Sequence, residues 1–306
     1  MKYILHYLFF LSMAVPLEGQ TLVEQLGYPA GTKLLIIHGD DLGVTHATNA
    51  ASLDALEHGA ISSASVMPVT PWVAEVARWA RGHPDHDLGV HLTLTSEWEN
   101  LRWGVADPRS ASLVDSSGYL KPRCDDLSAT ADPRQVQQEL LAQVARLRSL
   151  GLEPTHLDTH MGCLVWDPAL FQIYLEVGRE LNLPTAIARN VLDQPNFAEH
   201  AGMITENDLV MDRKLTLYPE HYAAGTDQYY LGLLDTLGAG LNVLYLHLAH
   251  DGTESAAMAG GVEPWGNRWR QLDVNAVTST AFRRRLTERG IKVVTWREVW
   301  RRWLAR

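Results

Sequence analysis

The sequence predicts an α/β protein: a single (β/α) barrel, distorted from the ideal, with parallel strands in a seven-stranded or TIM-like arrangement. Three observations predict it. Short apolar β-type runs alternate with segments of helical period seven times over, which implies a parallel sheet with helices outside it. The chain has 306 residues, 46% of them apolar, enough for one large core of the kind that barrels build from ~250 residues. Neither a linker nor an internal repeat divides it, so residues 21–306 read as one domain.

Taken in order, residues 33–38 (KLLIIH) form the first strand, and Thr45 or Thr48 caps a helix that closes at His58-Gly59. Residues 60–69 read as the second strand. Pro71-Trp72 opens a helix through Arg81-Gly82, with Val73, Val76, Ala77 and Ala80 at helical spacing. Residues 88–94 (LGVHLTL) are a third strand, and 96–131 a loop-like insertion. Asp132-Pro133 is an N-cap followed by proline at the first helical position, and Gly151 ends that helix. A fourth strand at 155–159, a helix at 168–181 and a fifth strand at 185–188 follow. Beyond a less readable stretch come a strand at 242–247, a helix at 275–289, a strand at 292–295 and a last helix at 298–304.

The first twenty residues read as an export signal rather than as part of the fold. Lys2 precedes an apolar run from Tyr3 to Val15, interrupted by His6 and Ser12, and a small and polar exit ends at Gly19-Gln20. That run is too short for a membrane span, which needs ~20 apolar residues. Cleavage there leaves a protein without a further span, exported to the periplasm or secreted. Cys124 and Cys163, the two cysteines, can oxidise together in such a compartment; whether they meet stays open at this level.

Composition excludes several classes. With 26 basic against 36 acidic residues the net charge is −10, opposite to what a nucleic-acid backbone requires. Two cysteines make neither a disulfide framework nor a thiolate zinc cluster. Thirteen histidines favour metal or acid/base chemistry.

The informative polar residues fall where strands end, the side on which parallel α/β folds assemble their chemistry. The first strand ends His38-Gly39-Asp40-Asp41-Leu42-Gly43, the third carries Gly89-Val90-His91-Leu92, the fourth reads His156-Leu157-Asp158-Thr159-His160, and a late strand ends His247-Leu248-Ala249-His250. Four such sets at comparable positions point to a shared site. Side chains alternate on a strand, so Asp40 and Asp41 face one cavity only if the backbone turns between Gly39 and Gly43; otherwise Asp41 caps the next helix. His156, Asp158 and His160 share a face if their strand continues, and a carboxylate beside imidazoles is the arrangement that fixes ring tautomers behind metal ligands. His91 alone fits either a ligand or a hydrogen-bonded core histidine.

Asp40-Asp41-Leu42-Gly43, the Gly89-to-Leu94 strand, Pro154-Thr155-His156-Leu157-Asp158-Thr159-His160-Met161, and Glu57-His58-Gly59-Ala60-Ile61-Ser62-Ser63 occur in the order found in YdjC/ChbG-like carbohydrate deacetylases, and the chain resembles that family from about Leu34 to Arg189 and again near His247. The resemblance implies a distorted (β/α) barrel and one divalent metal ion, zinc or magnesium, used to remove N-acetyl groups from amino sugars or oligosaccharides. It maps the metal ligands onto Asp41, His91 and His160, the catalytic base onto Asp40, and a late histidine, the acid, onto His247. Two departures stand out: His38-Gly39 where the family has Asn-Ala, and Leu248 where it has proline, with His250 a rival for the late histidine.

The chemistry is coherent with that mapping. A 2-His-1-carboxylate set leaves open metal positions, an aspartate near them can act as base, and a histidine can protonate the departing nitrogen. Trp98, Trp103, Trp166 and Trp265 fall in predicted loops and can stack on sugar rings or simply pack. Two other classes fit parts of the pattern: a non-catalytic carbohydrate-binding relative, which needs neither base nor acid, and a facial-triad Fe(II) oxygenase, which the strand–helix alternation opposes.

Overall fold

The computed structural model describes residues 19–260 and 264–306; the expected export signal falls almost wholly outside them. The strands in chain order are β1 (Lys33–Leu42), β2 (Ser63–Val66), β3 (Leu88–Leu92), β4 (Leu157–Thr159), β5 (Ile187–Ala188), β6 (Val210–Met211), β7 (Arg213–Thr216), β8 (Gly240–Leu246) and β9 (Ile291–Val293). Seven of them form one sheet in the order β4-β3-β2-β1-β8-β7, with β9 also paired to β1. Every pairing between these strands is parallel. At the β4 edge, Leu157 exchanges backbone hydrogen bonds with Pro184 and Ala186 (2.9 and 2.8 Å), which leads into the parallel pair β5 and β6. Asp212 alone separates β6 from β7. The product is a curled parallel sheet flanked by helices, a distorted (β/α) barrel, as the alternation predicts.

Strand periodicity sorts the interior into two cores. Leu34 and Ile36 of β1 pack with Leu241, Val243 and Tyr245 of β8 and with Trp296. Leu35 and Ile37, together with Leu244 and Leu246, belong to the larger cluster that takes in Val136, Leu140, Val144 and Leu147 of the helix Pro133–Ser149. The helices therefore cover one face of the sheet, and the first cluster fills the inside of the curl. The next inward positions are His38 and Asp40 on β1 and His247 just past β8. Val90 and Leu92 of β3, Leu157 of β4, and Ala64 and Val66 of β2 all face the helices. Their alternates Gly89, His91, His156, Asp158, Ser63 and Ser65 consequently point inward. The barrel interior is apolar at one end and polar at the other.

Caps explain several boundaries. Thr45, not Thr48, caps the helix His46–Glu57 by accepting from Thr48 N, and Asp132 caps Pro133–Ser149. The expected helix at 275–289 is instead two, Asn267–Thr278 and Thr280–Glu288, because the Ser279 hydroxyl accepts from Phe282 N at 3.1 Å and starts a new helix. The last helix, Trp296–Leu304, starts two residues before 298 because Thr295 caps it. The unread stretch holds β6, β7 and the helix Thr226–Thr236. Among the described residues no helix is long and apolar enough to cross a membrane.

Candidate active site

Asp40 and Asp41 lie within β1, which runs to Leu42 rather than stopping at 38. Asp40 continues the inward row of Leu34, Ile36 and His38, so Asp41 ought to face the helices. It does not, because Asp41 itself takes φ 68°, and the β1–β2 register breaks between Gly39 and Leu42. The turn between the flanking glycines thus falls on the aspartate. Aspartate tolerates the left-handed region better than most residues, and such strain collects at functional sites. Both carboxyl groups are buried at the polar end of the barrel.

Asp41 Oδ1 stands 3.4 Å from His91 Nε2 and 3.3 Å from His160 Nδ1. The three atoms lie within 4.8 Å of one another on buried side chains, and Asp41 Oδ1 has no hydrogen-bond partner. A buried, unpartnered carboxylate oxygen facing two ring nitrogens is what a cation site requires, since an orphaned buried acceptor is otherwise costly. The donors, two imidazoles and one carboxylate, suit zinc and other divalent ions.

Each imidazole is aimed by a carboxylate behind it. β3–β4 register sets His91 opposite Asp158, and His91 Nδ1 lies 2.8 Å from Asp158 Oδ1 and 3.1 Å from Ser65 Oγ. His160 Nε2 lies 3.0 Å from Glu97. These pairs leave His91 Nε2 and His160 Nδ1 toward the centre, the orientation metal-binding histidines usually have. Burial opposes positive charge here, yet the surrounding carboxylates outweigh it, raising His160 to about 9 and His91 well above its ordinary value. The same negative field favours a bound cation. Asp41 is held ionised despite burial by the Arg270 charge, with His160 and His91 adding to the effect; Arg270 Nη2 donates to Asp41 Oδ2 at 2.8 Å.

The other expected residues divide. Asp40 Oδ1 lies 3.2 Å from His38 Nε2 and its Oδ2 3.9 Å from His247 Nε2, so His247 joins the site. Its rival His250 is exposed, with its backbone N–H on Ala47 O. Asp158 stands behind His91. β4 ends at Thr159, and His160 reaches the centre through a turn with Met161 at φ 57°, so of the three only His156 and Asp158 alternate onto one face, and His156 does not brace a ligand. His156 packs its ring on Trp296 and against Gly89, where a Cβ would meet it at 2.4 Å, and its hydrogen bond goes to Thr155. The bracing expected of it falls to Glu97. Two further groupings, His38–His156–Asp158 and Asp40–His91–Asp158, share the cavity, but His38 Nε2 and His91 Nδ1 are already engaged with Asp158.

Glu97, Arg270 and Asp273 escape the sequence reading. Glu97 opens the insertion right after β3, and that position beyond a histidine-bearing strand is its one signal. Arg270 and Asp273 sit three apart on the helix Asn267–Thr278 and so share a face. Asp273 accepts from His247 N at 3.0 Å and from Tyr230 Oη at 2.6 Å; burial pushes it up to about 7. Of the four tryptophans, Trp103 is core, donating to Thr95 O. Trp98 is half-buried beneath Arg270, 5.4 Å from its guanidinium carbon, and Trp166 and Trp265 are exposed.

Cys124 and Cys163 form a disulfide, tying the insertion that supplies Glu97 to the turn that follows His160. It closes a loop with a sequence separation of 39, worth about 4 kcal/mol at most by chain entropy. The double variant Cys124→Ser/Cys163→Ser is expected to lose roughly 2–4 kcal/mol of stability, read as a lower denaturant midpoint; an unchanged midpoint contradicts this.

The chain matches the YdjC-like protein family over residues 34–288 and belongs to that family. It is 32% identical to a carbohydrate deacetylase of Thermus thermophilus, over 91% of this chain and 97% of that one. A carbohydrate deacetylase of Geobacillus stearothermophilus is 26% identical over 87% and 98%, and a chitooligosaccharide deacetylase of Yersinia pestis 29% over 57% and 71%. A crystal structure of a candidate cellobiose-phosphate cleavage protein from Enterococcus faecalis superposes with TM-score 0.75 at 24% identity, covering 87% of this chain and 98% of that one, and shares its fold.

Proposed function

We propose that residues 21–306 form a metal-dependent deacetylase that hydrolyses the N-acetyl amide of amino sugars or their oligosaccharides. The observation that carries this reading is the convergence of the unpartnered Asp41 Oδ1 with His91 and His160, with Asp40 and His247 alongside. The names of relatives at 26–32% identity support the same reaction.

Asp41, His91 and His160 would hold a divalent ion, which would supply Lewis acidity to activate water and polarise the acetyl carbonyl. Asp40 takes the proton from the attacking water, with Oδ2 turned to the cavity and Oδ1 occupied by His38. Burial lowers the His247 pKa, so this ring is short of a proton at neutral pH. The proton it gives to the leaving nitrogen comes by way of Asp40, 3.9 Å away. Asp273 fixes the backbone of His247 and so the position of its ring. Trp166, exposed at the end of the short helix Cys163–Trp166 beyond β4, and Trp265, exposed on a loop beyond β8, offer faces for sugar rings.

The apolar start of the chain and the disulfide both suit an exported, periplasmic or secreted protein. A neutral acetylated glycan suits an acidic chain better than an anionic polymer or a nucleic acid does.

Acetate release from N-acetylated glycans of one to several sugars, with zinc, magnesium, manganese and cobalt in turn, tests the activity; no acetate with any combination contradicts it. Glu97→Gln is expected to weaken the metal by about 10- to 100-fold in a chelator competition, whereas an unchanged affinity removes Glu97 from the site.

A further inference from the structure

We propose that His38 is a positioning residue for Asp40: a buried cation that bridges Asp40 and Asp158 and fixes which Asp40 oxygen faces the substrate, a role that rests on reading Asp40 as the base. His38 is fully buried inside the barrel. Its Nε2 lies 2.9 Å from Asp158 Oδ2, 3.2 Å from Asp40 Oδ1 and 3.2 Å from Ser65 Oγ. Its Nδ1 lies 3.1 Å from Ser63 Oγ, a contact that follows from the register placing His38 opposite Ser63. Ring edges of His156 and Tyr245, with centroids 5.0 and 5.2 Å away, close the remaining sides.

This geometry has a charge logic. Asp40 and Asp158 both approach one nitrogen, and two carboxylates that close stay ionised together only with positive charge between them. Burial opposes the imidazolium, but its hydrogen bonds to Asp158 and Asp40 prevail and raise His38 to about 9. Asp158 aims His91 with its other oxygen, so His38 links the base to one ligand's support without touching Asp41, His91 or His160. The charged and titratable groups around it are Asp40 on its own strand, Asp158 and His156 from the β4 segment, Asp87 just before β3, His91 from β3 and Tyr245 from β8. His247 faces it across Asp40. A glutamine at 38 keeps a donor of similar reach and loses the charge.

The test compares metal-loaded wild type, H38Q, D40N and the H38Q/D40N double variant, with kcat, KM and metal content measured on each. H38Q is expected to lower kcat by about 10- to 100-fold, the range for a hydrogen bond between charged groups, with KM and metal content unchanged. In the D40N background the same change is expected to cost less than about twofold, because the residue acts through Asp40. Unchanged kcat in H38Q, or a full-sized loss in the D40N background, overturns the proposal. Nitrogen-15 spectra of the imidazoles need no turnover: both His38 nitrogens are expected to carry protons at pH 7.5 and to shift in D40N. A neutral or unshifted ring overturns the bridge. If wild type releases no acetate, the reading of the function fails, and the spectra alone decide whether His38 joins the two carboxylates.

Discussion

Asp40→Asn is expected to cut the rate of acetate release by about 100- to 10,000-fold, the range for losing a general base, while the protein keeps its metal. The variant is nearly isosteric, and the atoms proposed to bind the ion belong to Asp41, His91 and His160. What it removes is a proton acceptor on the cavity side and the negative charge opposite His38 and His247. Initial rates and elemental analysis on one preparation separate the two effects. An Asp40→Asn enzyme with wild-type turnover ends the assignment, and one that loses its metal makes Asp40 a ligand rather than a base.

Removing a ligand has a different signature. Asp41→Asn and His160→Ala are each expected to abolish stoichiometric metal binding and, with it, acetate release. Stability separates them. Asp41 is the carboxylate partner of Arg270, which is buried and held to it at 2.8 Å. Breaking a buried ion pair from one side strands the other charge and costs about 3–5 kcal/mol. His160→Ala takes a partner from Glu97, which is not fully buried, and from Asp41, which keeps Arg270, so its cost is smaller. Denaturant midpoints measured on metal-free samples are expected to fall further for Asp41→Asn than for His160→Ala. The reverse order contradicts the buried pairing.

Much of this site was legible in the residues because β-sheet alternation is a strict rule. Once Leu34 and Ile36 face inward, His38 and Asp40 must follow, and the same logic places His91, Asp158 and His247. The features that escaped are those alternation cannot express. Asp41 turns inward through its own left-handed backbone, where a reader expects the adjacent glycines to supply that freedom. His160 arrives through a turn rather than along the strand that carries Asp158, and His156, one inward position before Asp158, packs on Trp296 instead. Arg270 and Glu97 are single charges on a helix and a loop, without a periodic signal, and only the fold shows what they touch. Strand β6, of two residues, is too short for any pattern to emerge, whereas β5 lies within the strand expected at 185–188. The helix break at Ser279 was written as a cap but hidden inside a longer apolar period.

The most direct measurement of the central claim is acetate release by chelator-stripped protein as zinc or magnesium is added back. The stripped protein is expected to be inactive, recovery to saturate at one ion per chain, and His160→Ala to show no recovery under the same titration. Full activity without the ion, or recovery that survives loss of both Asp41 and His160, contradicts the account.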